Sequence, residues 1–401
     1  MNNYPVYLNQ MALVNALGHE HDKVLDKLVA GDISGMVDYT TALNSKRFKA
    51  GRVTSELPTI PAHLAKHKTR NNQFILHCLL QLEQPIRTVL EQSSQQRIGV
   101  VIGTSTSGIA EGEAALAEHL KTHDFPNDFD YSQIQMSSPA DFIADYLSIT
   151  GPAYAISTAC SSSGKVLASA RSLIQNNICD AVIVGGADSL CDMTLNGFKA
   201  LEAISDDLSI PFSANRQGIN IGEGAALFLM TREPSEVQLL GVGESSDAHH
   251  ISAPHPQGKG AAQAMTMALS EAGLSGEGIG YLNLHGTGTD LNDSMESQAV
   301  VEVLSEATPC SSTKPLTGHT LGAAGATELA FCWLMLQQDC SNLLSNQLLP
   351  KHCYDDNYDP ALPLLNLVDN QVAYETVTTA MSNSFAFGGN NVSVIIGRSE
   401  T

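Results

Sequence analysis

The sequence is short of positive charge: 21 lysines and arginines face 42 aspartates and glutamates, a formal net charge of −21. A field of that sign repels phosphate backbones and anionic lipid surfaces, so neither nucleic acid nor a membrane is an expected partner. Also missing is any Cys-x-x-Cys pair. The eight cysteines are scattered, with no spacing typical of a disulfide framework or a structural zinc site, which points to a reducing, cytoplasmic setting. The opening stretch from Tyr4 to Gly18 has no basic leader, no continuous apolar core and nothing long enough to cross a bilayer, so a soluble, unprocessed protein is expected. Low-complexity tracts and short-period repeats are absent, which excludes solenoids. No glycine-rich loop matches a P-loop or a dinucleotide fingerprint, which leaves nucleotide binding without support.

What is present suits a layered α/β protein. The 401 residues, 43% of them hydrophobic, can build one large or two ordinary domains. Short apolar runs at Ile98 to Ile102, Ala181 to Val184, Tyr281 to Leu284 and Val392 to Ile396 read as strands. They alternate with helical patterns at Pro139 to Leu147, Ser161 to Asn176, Ala261 to Ala272, Ser294 to Leu304 and Leu321 to Gln337, as parallel strands covered by helices require. A joint at Thr231 to Val237 divides the chain into residues 1–235 and 236–401. The polar, basic stretch from Leu43 to Arg70 reads as an excursion over the surface. Its clusters Lys46, Arg47, Lys49 and Arg52, and Lys66, Lys68 and Arg70, read first as solvated faces, although an acidic partner would need a local patch of this kind to dock.

Four segments carry chemistry. In Gly151-Pro-Ala-Tyr-Ala-Ile-Ser-Thr-Ala-Cys160-Ser-Ser-Ser-Gly-Lys-Val, an apolar run leads into a cysteine followed by small, helix-starting residues. Cys160 therefore belongs on a sharp strand-to-helix turn, where free N–H groups and the helix dipole favour a thiolate and suit an oxyanion on an acyl thioester. Its small neighbours leave it accessible. Cys78, Cys179 and Cys332 lie inside apolar patterns and read as buried hydrophobes. The Ser162-x-x-Lys165 match lacks the companion motifs of penicillin-recognising enzymes and counts as chance.

The second segment, Tyr281-Leu-Asn-Leu-His285-Gly-Thr-Gly-Thr-Asp290, is a strand ending in a histidine. Strand ends of α/β sheets face the ligand crevice. A lone histidine there is more often structural, but the loop after it adds hydroxyls and lets a ligand approach the backbone. In the third, Ser312-Thr-Lys314-Pro-Leu-Thr-Gly-His319-Thr-Leu-Gly-Ala-Ala-Gly-Ala-Thr-Glu328, a second histidine precedes a helix of small residues. The fourth, Asn383-Ser-Phe385-Ala-Phe387-Gly-Gly-Asn-Asn391, is a glycine-rich loop able to supply a backbone N–H and to swing a bulky side chain. His285 and His319 lack the spacing of a helical zinc motif, and His249, His250 and His255 lack a nearby Cys or acidic cluster, so no metal is expected and that run reads as a loop lining a cleft.

In this order the four segments resemble the β-ketoacyl-(acyl carrier protein) synthases of the Cys-His-His elongating type, within the thiolase-like superfamily. The likeness runs from about Arg97 to the C-terminus and includes Pro211-Phe-Ser-Ala-Asn-Arg216-Gln-Gly-Ile-Asn-Ile-Gly-Glu223 and Asp247-Ala-His-His250. It implies two similar halves in a five-layer αβαβα sandwich, paired as a homodimer or with a related subunit that sets chain length. By the same resemblance, Cys160 is the acyl-accepting nucleophile, and His285 and His319 bind the malonyl thioester carbonyl. Lys314 and Glu328 support the histidines, and Phe387 is a gate whose N–H joins that of Cys160 in an oxyanion hole. Thr287 and Thr289, assisted by Ser252, hold the phosphopantetheine arm of an acyl carrier protein, Phe385 belongs with the substrate-binding residues, and Ile109 limits acyl-chain length. No further cofactor is implied. The N-terminal 95 residues depart from the usual opening, and Asn390 stands where threonine is more usual. The opening looks similar to synthases of bacterial polyene and other specialised pathways.

Overall fold

The computed structural model describes residues 4–41, 47–337, 348–370, 374 and 376–399. One order of elements occurs twice along the chain. The first pass comprises β1 (Tyr7–Val14), α1 (Arg70–Gln81), β2 (Ile98–Gly103), α2 (Ser138–Leu147), β3 (Ala153–Ile156), α3 (Ser162–Gln175), β4 (Ala181–Asp188) and β5 (Gly224–Thr231). The second comprises β6 (Val237–Ser246), α4 (Lys259–Ala272), β7 (Tyr281–Asn283), α5 (Asp290–Val303), β8 (Pro309–Ser311), α6 (Ala324–Leu336), β9 (Thr379–Phe385) and β10 (Asn390–Arg398).

The pairing repeats as well. The strand orders are β3-β2-β4-β5-β1 and β8-β7-β9-β10-β6, in each case with three parallel strands followed by two antiparallel steps. Tyr7 of β1 pairs with Gln238 of β6, which joins the two sets edge to edge. This is the duplication that the sequence had lost to divergence. Helices α3 and α6 pack on each other and on strands of both sets, while α1 and α2 cover the first set and α4, with α5 packed beside it in the same apolar cluster, covers the second. The layers are therefore αβαβα, as the sequence analysis expected.

Patterning explains which helix goes where. Every residue of α6, Ala-Gly-Ala-Thr-Glu-Leu-Ala-Phe-Cys-Trp-Leu-Met-Leu, is buried, as a helix apolar on all sides must be. On α4 the buried positions Ala261, Ala264, Met265 and Ala268 recur at helical spacing, which leaves the other face for solvent. The central pair approaches closely because of glycine: a Cβ on Gly325 would stand 2.7 Å from the backbone nitrogen of Gly164. Even one added methyl there should cost about 1–3 kcal/mol in overpacking.

Of the stretch Leu43 to Arg70, the described part, Arg47 to Arg70, is not a surface excursion. Residues Arg47–Gly51 form the middle strand of a small sheet, antiparallel to Met36–Thr40 and parallel to Ile221–Gly222. Phe48 and Ala50 are buried with Ile221 and Leu321 in their own apolar cluster. A two-residue alternation in a polar setting is too short to register as a period, and tertiary packing supplies what the pattern lacks. The basic clusters are solvated faces as expected, with the Arg47, Lys66 and Lys68 side chains more than half exposed, and most of their cations have acidic partners. Lys49 and Arg47 pair with Asp38, Lys66 with Asp145 and Lys68 with Asp128, and Arg70 grips the buried Glu223; Lys46 lies outside the described residues. No helix among the described residues is long and apolar enough to cross a membrane.

Candidate active site

A strand-to-helix turn presents Cys160. The residue before it, Ala159, has φ of +53°, a left-handed conformation costly for a side chain with a Cβ, and α3 begins two residues later at Ser162. Such a turn places the thiol at the helix N-terminus. His319 enters from the other half on a short segment whose backbone is pinned to the small sheet: its N–H donates to the Asn220 carbonyl (2.7 Å), and its carbonyl accepts from Gly222 (2.9 Å). That support is what the stretch 47–51 contributes, through its parallel pairing with Ile221–Gly222.

The convergence is tight. His319 Nε2 is 2.9 Å from Cys160 Sγ, and the His285 and His319 rings meet edge to face with centroids 5.4 Å apart. Sγ and one nitrogen of each imidazole all lie within 4.8 Å of one another, the only such group of three potential ligands among the described residues. A thiol and two imidazoles would suit a soft divalent cation by donor type, although the sequence spacing showed no such set. Lys314, 2% exposed, donates to Glu328 Oε1 at 2.5 Å and lies 3.4 Å from His285 Nδ1. An ammonium can only donate, so Nδ1 of His285 is an acceptor and Nε2 carries the ring proton.

Burial sets the charges. Desolvation, then the Lys314 ammonium, hold both imidazoles well below the usual histidine range, so both are neutral at pH 7. The Cys160 thiol is pushed up to about 12, chiefly by burial, while Lys314 and the N–H groups of Phe387 and Cys160 itself pull the other way. This reverses the sequence expectation of a lowered thiol, because desolvation outweighs the helix terminus. The two N–H groups acting on the sulfur are the pair expected to form an oxyanion hole.

A cavity of about 330 Å³ leads to this centre, lined among others by Cys160, His285, His319, Thr287, Thr289, Ser252, Phe385 and Phe387. The Thr287 and Thr289 hydroxyls lie 3.0 Å apart. Buried Phe385 packs edge-on to His285, and half-buried Phe387 faces Phe198 with ring centroids 5.5 Å apart. The run His249, His250 and His255 leaves its histidines off this wall and contributes Ser252, Ala253 and Pro254 instead. Ile109 also stands outside it, half-buried at the start of the helix Ile109–Thr122.

Several supporting groups were not read from the sequence. Glu296, on α5 eleven residues past His285, accepts the N–H groups of His285 and Gly286 at 2.7 Å each. Asp293 accepts from Gly288 and Phe212. Arg216 lines the cavity beside Asp290, at 3.2 Å, and Asp359, at 2.7 Å. Acidic side chains at helical spacing just after a histidine loop are a usable signal for such caps.

Residues 50–235 match the family described as Beta-ketoacyl synthase, N-terminal domain, and residues 237–346 its C-terminal domain. The mitochondrial 3-oxoacyl-(acyl-carrier-protein) synthase of Arabidopsis thaliana is 33% identical over 76% of this chain and 69% of its own length. A 3-oxoacyl-(acyl-carrier-protein) synthase 2 of Staphylococcus aureus strain MRSA252 is 28% identical, with 99% of both covered. Among solved structures, a chain from a ketosynthase in complex with its chain length factor, from Xenorhabdus doucetiae, superposes with a TM-score of 0.93 at 45% identity, covering 99% of this chain and 98% of that one. One from the ishigamide ketosynthase/chain length factor gives 0.84 at 25%, with 99% of each covered. With a thiol and two neutral imidazoles converging on one cavity, and both domains matched across most of its length, the chain belongs to the beta-ketoacyl synthase family.

Proposed function

We propose that the chain joins an acyl group held on Cys160 to a malonyl thioester, with loss of carbon dioxide, to give a 3-oxoacyl thioester on an acyl carrier protein. The observation that carries this reading is the Cys160–His285–His319 triangle within 4.8 Å. In the first step Cys160 Sγ attacks the acyl thioester. His319 Nε2–H, at 2.9 Å, donates to the sulfur as it gains charge, and the thiol proton passes through solvent to the leaving carrier thiol. The malonyl thioester then sets its carbonyl oxygen between the two imidazole N–H groups. Loss of carbon dioxide leaves negative charge on that oxygen, and donors aimed there stabilise the enolate more than the ground-state carbonyl. The enolate carbon attacks the acyl carbonyl, whose oxygen is received by the N–H groups of Cys160 and Phe387. The carbon–sulfur bond breaks, and one proton from solvent restores the thiol. Thr287, Thr289 and Ser252 on the cavity wall suit the polar atoms of a phosphopantetheine arm.

A second reading concerns assembly: the chain works beside a related subunit that helps set product length. It is supported by the two ketosynthase/chain length factor neighbours and by Ile109, which stands outside the cavity in one chain. The seven described cysteines are all free, which supports a reducing compartment such as the cytoplasm. The test is intact-protein mass spectrometry after incubation with acyl carrier thioesters, followed by addition of malonyl carrier. An acyl mass on the wild type that is absent from Cys160→Ala, discharged as 3-oxoacyl product when malonyl carrier is added, is the expected result. Acylation that survives Cys160→Ala overturns the reading. Native mass spectrometry of the chain alone and co-expressed with a related subunit separates homodimer from heterodimer.

A further inference from the structure

Two backbone turns of this site are strained in the same way. Ala159 precedes the nucleophile with φ of +53°, and Leu321 follows His319 by two residues with φ of +52°. Non-glycine residues hold that conformation only where their surroundings enforce it. Both turns sit one step from the same carboxylate, Asp188, at the C-terminal end of β4.

Asp188 has no solvent exposure, and all its partners shown here are neutral donors. Its Oδ1 accepts from the Thr104 hydroxyl (2.7 Å), the Ser105 N–H (2.9 Å), and the N–H (2.7 Å) and hydroxyl (2.8 Å) of Thr106. Its Oδ2 accepts from Ser105 again and from the Ala323 N–H, each at 3.1 Å. Ala323 closes the turn that contains Leu321. Ser105 in turn donates its hydroxyl to the Ala159 carbonyl at 3.3 Å. The contacts leave no slack: a Cβ on Gly322 would stand 2.7 Å from the Ser105 nitrogen.

We propose that Asp188 is a positioning residue that holds the Cys160 turn and the His319 turn at their working separation. One side chain from the first half thereby ties the loop after β2, the nucleophile turn and the histidine turn of the second half into one rigid group. An array of backbone N–H donors with a carboxylate at its centre resists displacement better than neutral contacts, because charge-assisted bonds are roughly twice as strong. The arrangement has a cost for chemistry. A negative charge this close to Cys160 opposes the thiolate, and Asp188 is among the groups that push the thiol up, against Lys314 and two N–H groups that pull it down.

The proposal rests on the condensing-enzyme reading, and its test separates the two. Asp188→Asn keeps shape and removes the charge. Condensation turnover should fall by about 10- to 100-fold, as small misplacements of reacting groups do, with KM for the acyl carrier thioester unchanged. The pH midpoint for alkylation of Cys160 by iodoacetamide should move down, because the opposing charge is gone; loss of packing alone would not move it that way. Unchanged turnover in a folded variant overturns the proposal, and so does lost turnover with an unmoved midpoint. Should the variant fail to fold, Ser105→Ala cuts only the link to Ala159. It should slow acylation of Cys160 by about tenfold, and full-speed acylation would then refute the idea. Alkylation needs no substrate, so a shifted midpoint beside a wild type that never condenses would fail the functional reading alone.

Discussion

Replacing Lys314 by Met tests how the buried ion pair serves the histidines. An enolate oxygen bonded to Nε2 of His285 stands at most ~8 Å from the Lys314 ammonium, the sum of the 3.4 Å contact, the ring and one hydrogen bond. At an effective dielectric of about 20, that ammonium favours the enolate by about 2 kcal/mol, and Glu328, which can stand at most 2.5 Å further off, takes back about 1.5. What the substitution does therefore depends on Glu328. Burial raises its pKa to about 7, and Lys314 is the group that pulls it down, so in Lys314→Met the pKa rises further. With Glu328 protonated, both charges vanish together and the enolate loses only about 0.5 kcal/mol, roughly a twofold slowing. With Glu328 ionised, the full 2 kcal/mol is lost, roughly thirtyfold.

Malonyl decarboxylation by Lys314→Met, read as carbon dioxide released in a single turnover, should thus stay within a few fold of wild type just above pH 7, where Glu328 is ionised in wild type and protonated in the variant. It should fall roughly thirtyfold below wild type at higher pH, along a limb displaced upward from the wild-type one near 7. The double variant Lys314→Met/Glu328→Gln should lose the limb. A parallel pH profile for Lys314→Met and wild type, or a limb surviving in the double variant, would show that the pair acts only as packing.

His319→Ala should lower decarboxylation by about 10²–10³-fold through loss of one oxyanion donor, while Cys160 is still acylated at a reduced rate; equal loss of both steps in stopped assays would point to a general defect. Folding raises the Glu296 pKa from 4.5 to about 7, so the folded chain holds that proton more tightly than the unfolded one; its contribution favours the folded state below pH 4.5 and is lost as pH climbs through 7. Glu296→Gln should flatten the stability curve over that window, and an unchanged slope in urea midpoints would assign it to other carboxylates. Ile109→Phe should shorten the longest acyl chain only where a second subunit brings that residue to the acyl pocket. Product profiles of the chain alone and of the assembled pair check this, and identical profiles for both proteins in the assembled pair would remove Ile109 from the wall.

Local pattern made much of this legible. The strands Ile98 to Ile102 and Ala181 to Val184 and the helices around α2, α3 and α4 are continuous apolar or 3.6-period runs, and the structure places them within a few residues of where the sequence did. Cys160, His285 and His319 stand out because each combines a reactive group with small residues at an element boundary. The groups that act at a distance were invisible. Phe48 and Ala50 form too short a pattern to register as a strand, Asp188 looks like an ordinary strand end, and Glu296 reaches His285 only through the fold. The thiol charge was misjudged for the same reason. Helix polarity is a local property, whereas desolvation of Cys160 depends on how deeply two distant halves bury it.

The duplicated topology explains why one chain can hold this chemistry rigidly. Cys160 lies on the connection from β3 to α3, and His319 on the equivalent connection from β8 to α6, so a single packing contact between the two central helices sets both. The same correspondence relates the loop after β2, which Asp188 gathers, to the loop after β7, which carries His285 and is gathered by Glu296. In each half an acidic side chain collects backbone N–H groups beside the reacting ones. One half has spent its copy of the site on the nucleophile and its support, and the other on two imidazoles and the ammonium that fixes the proton of His285. Divergence of two equal halves yields complementary groups already facing each other, because the fold's own pseudo-symmetry brings equivalent strand ends together at its centre.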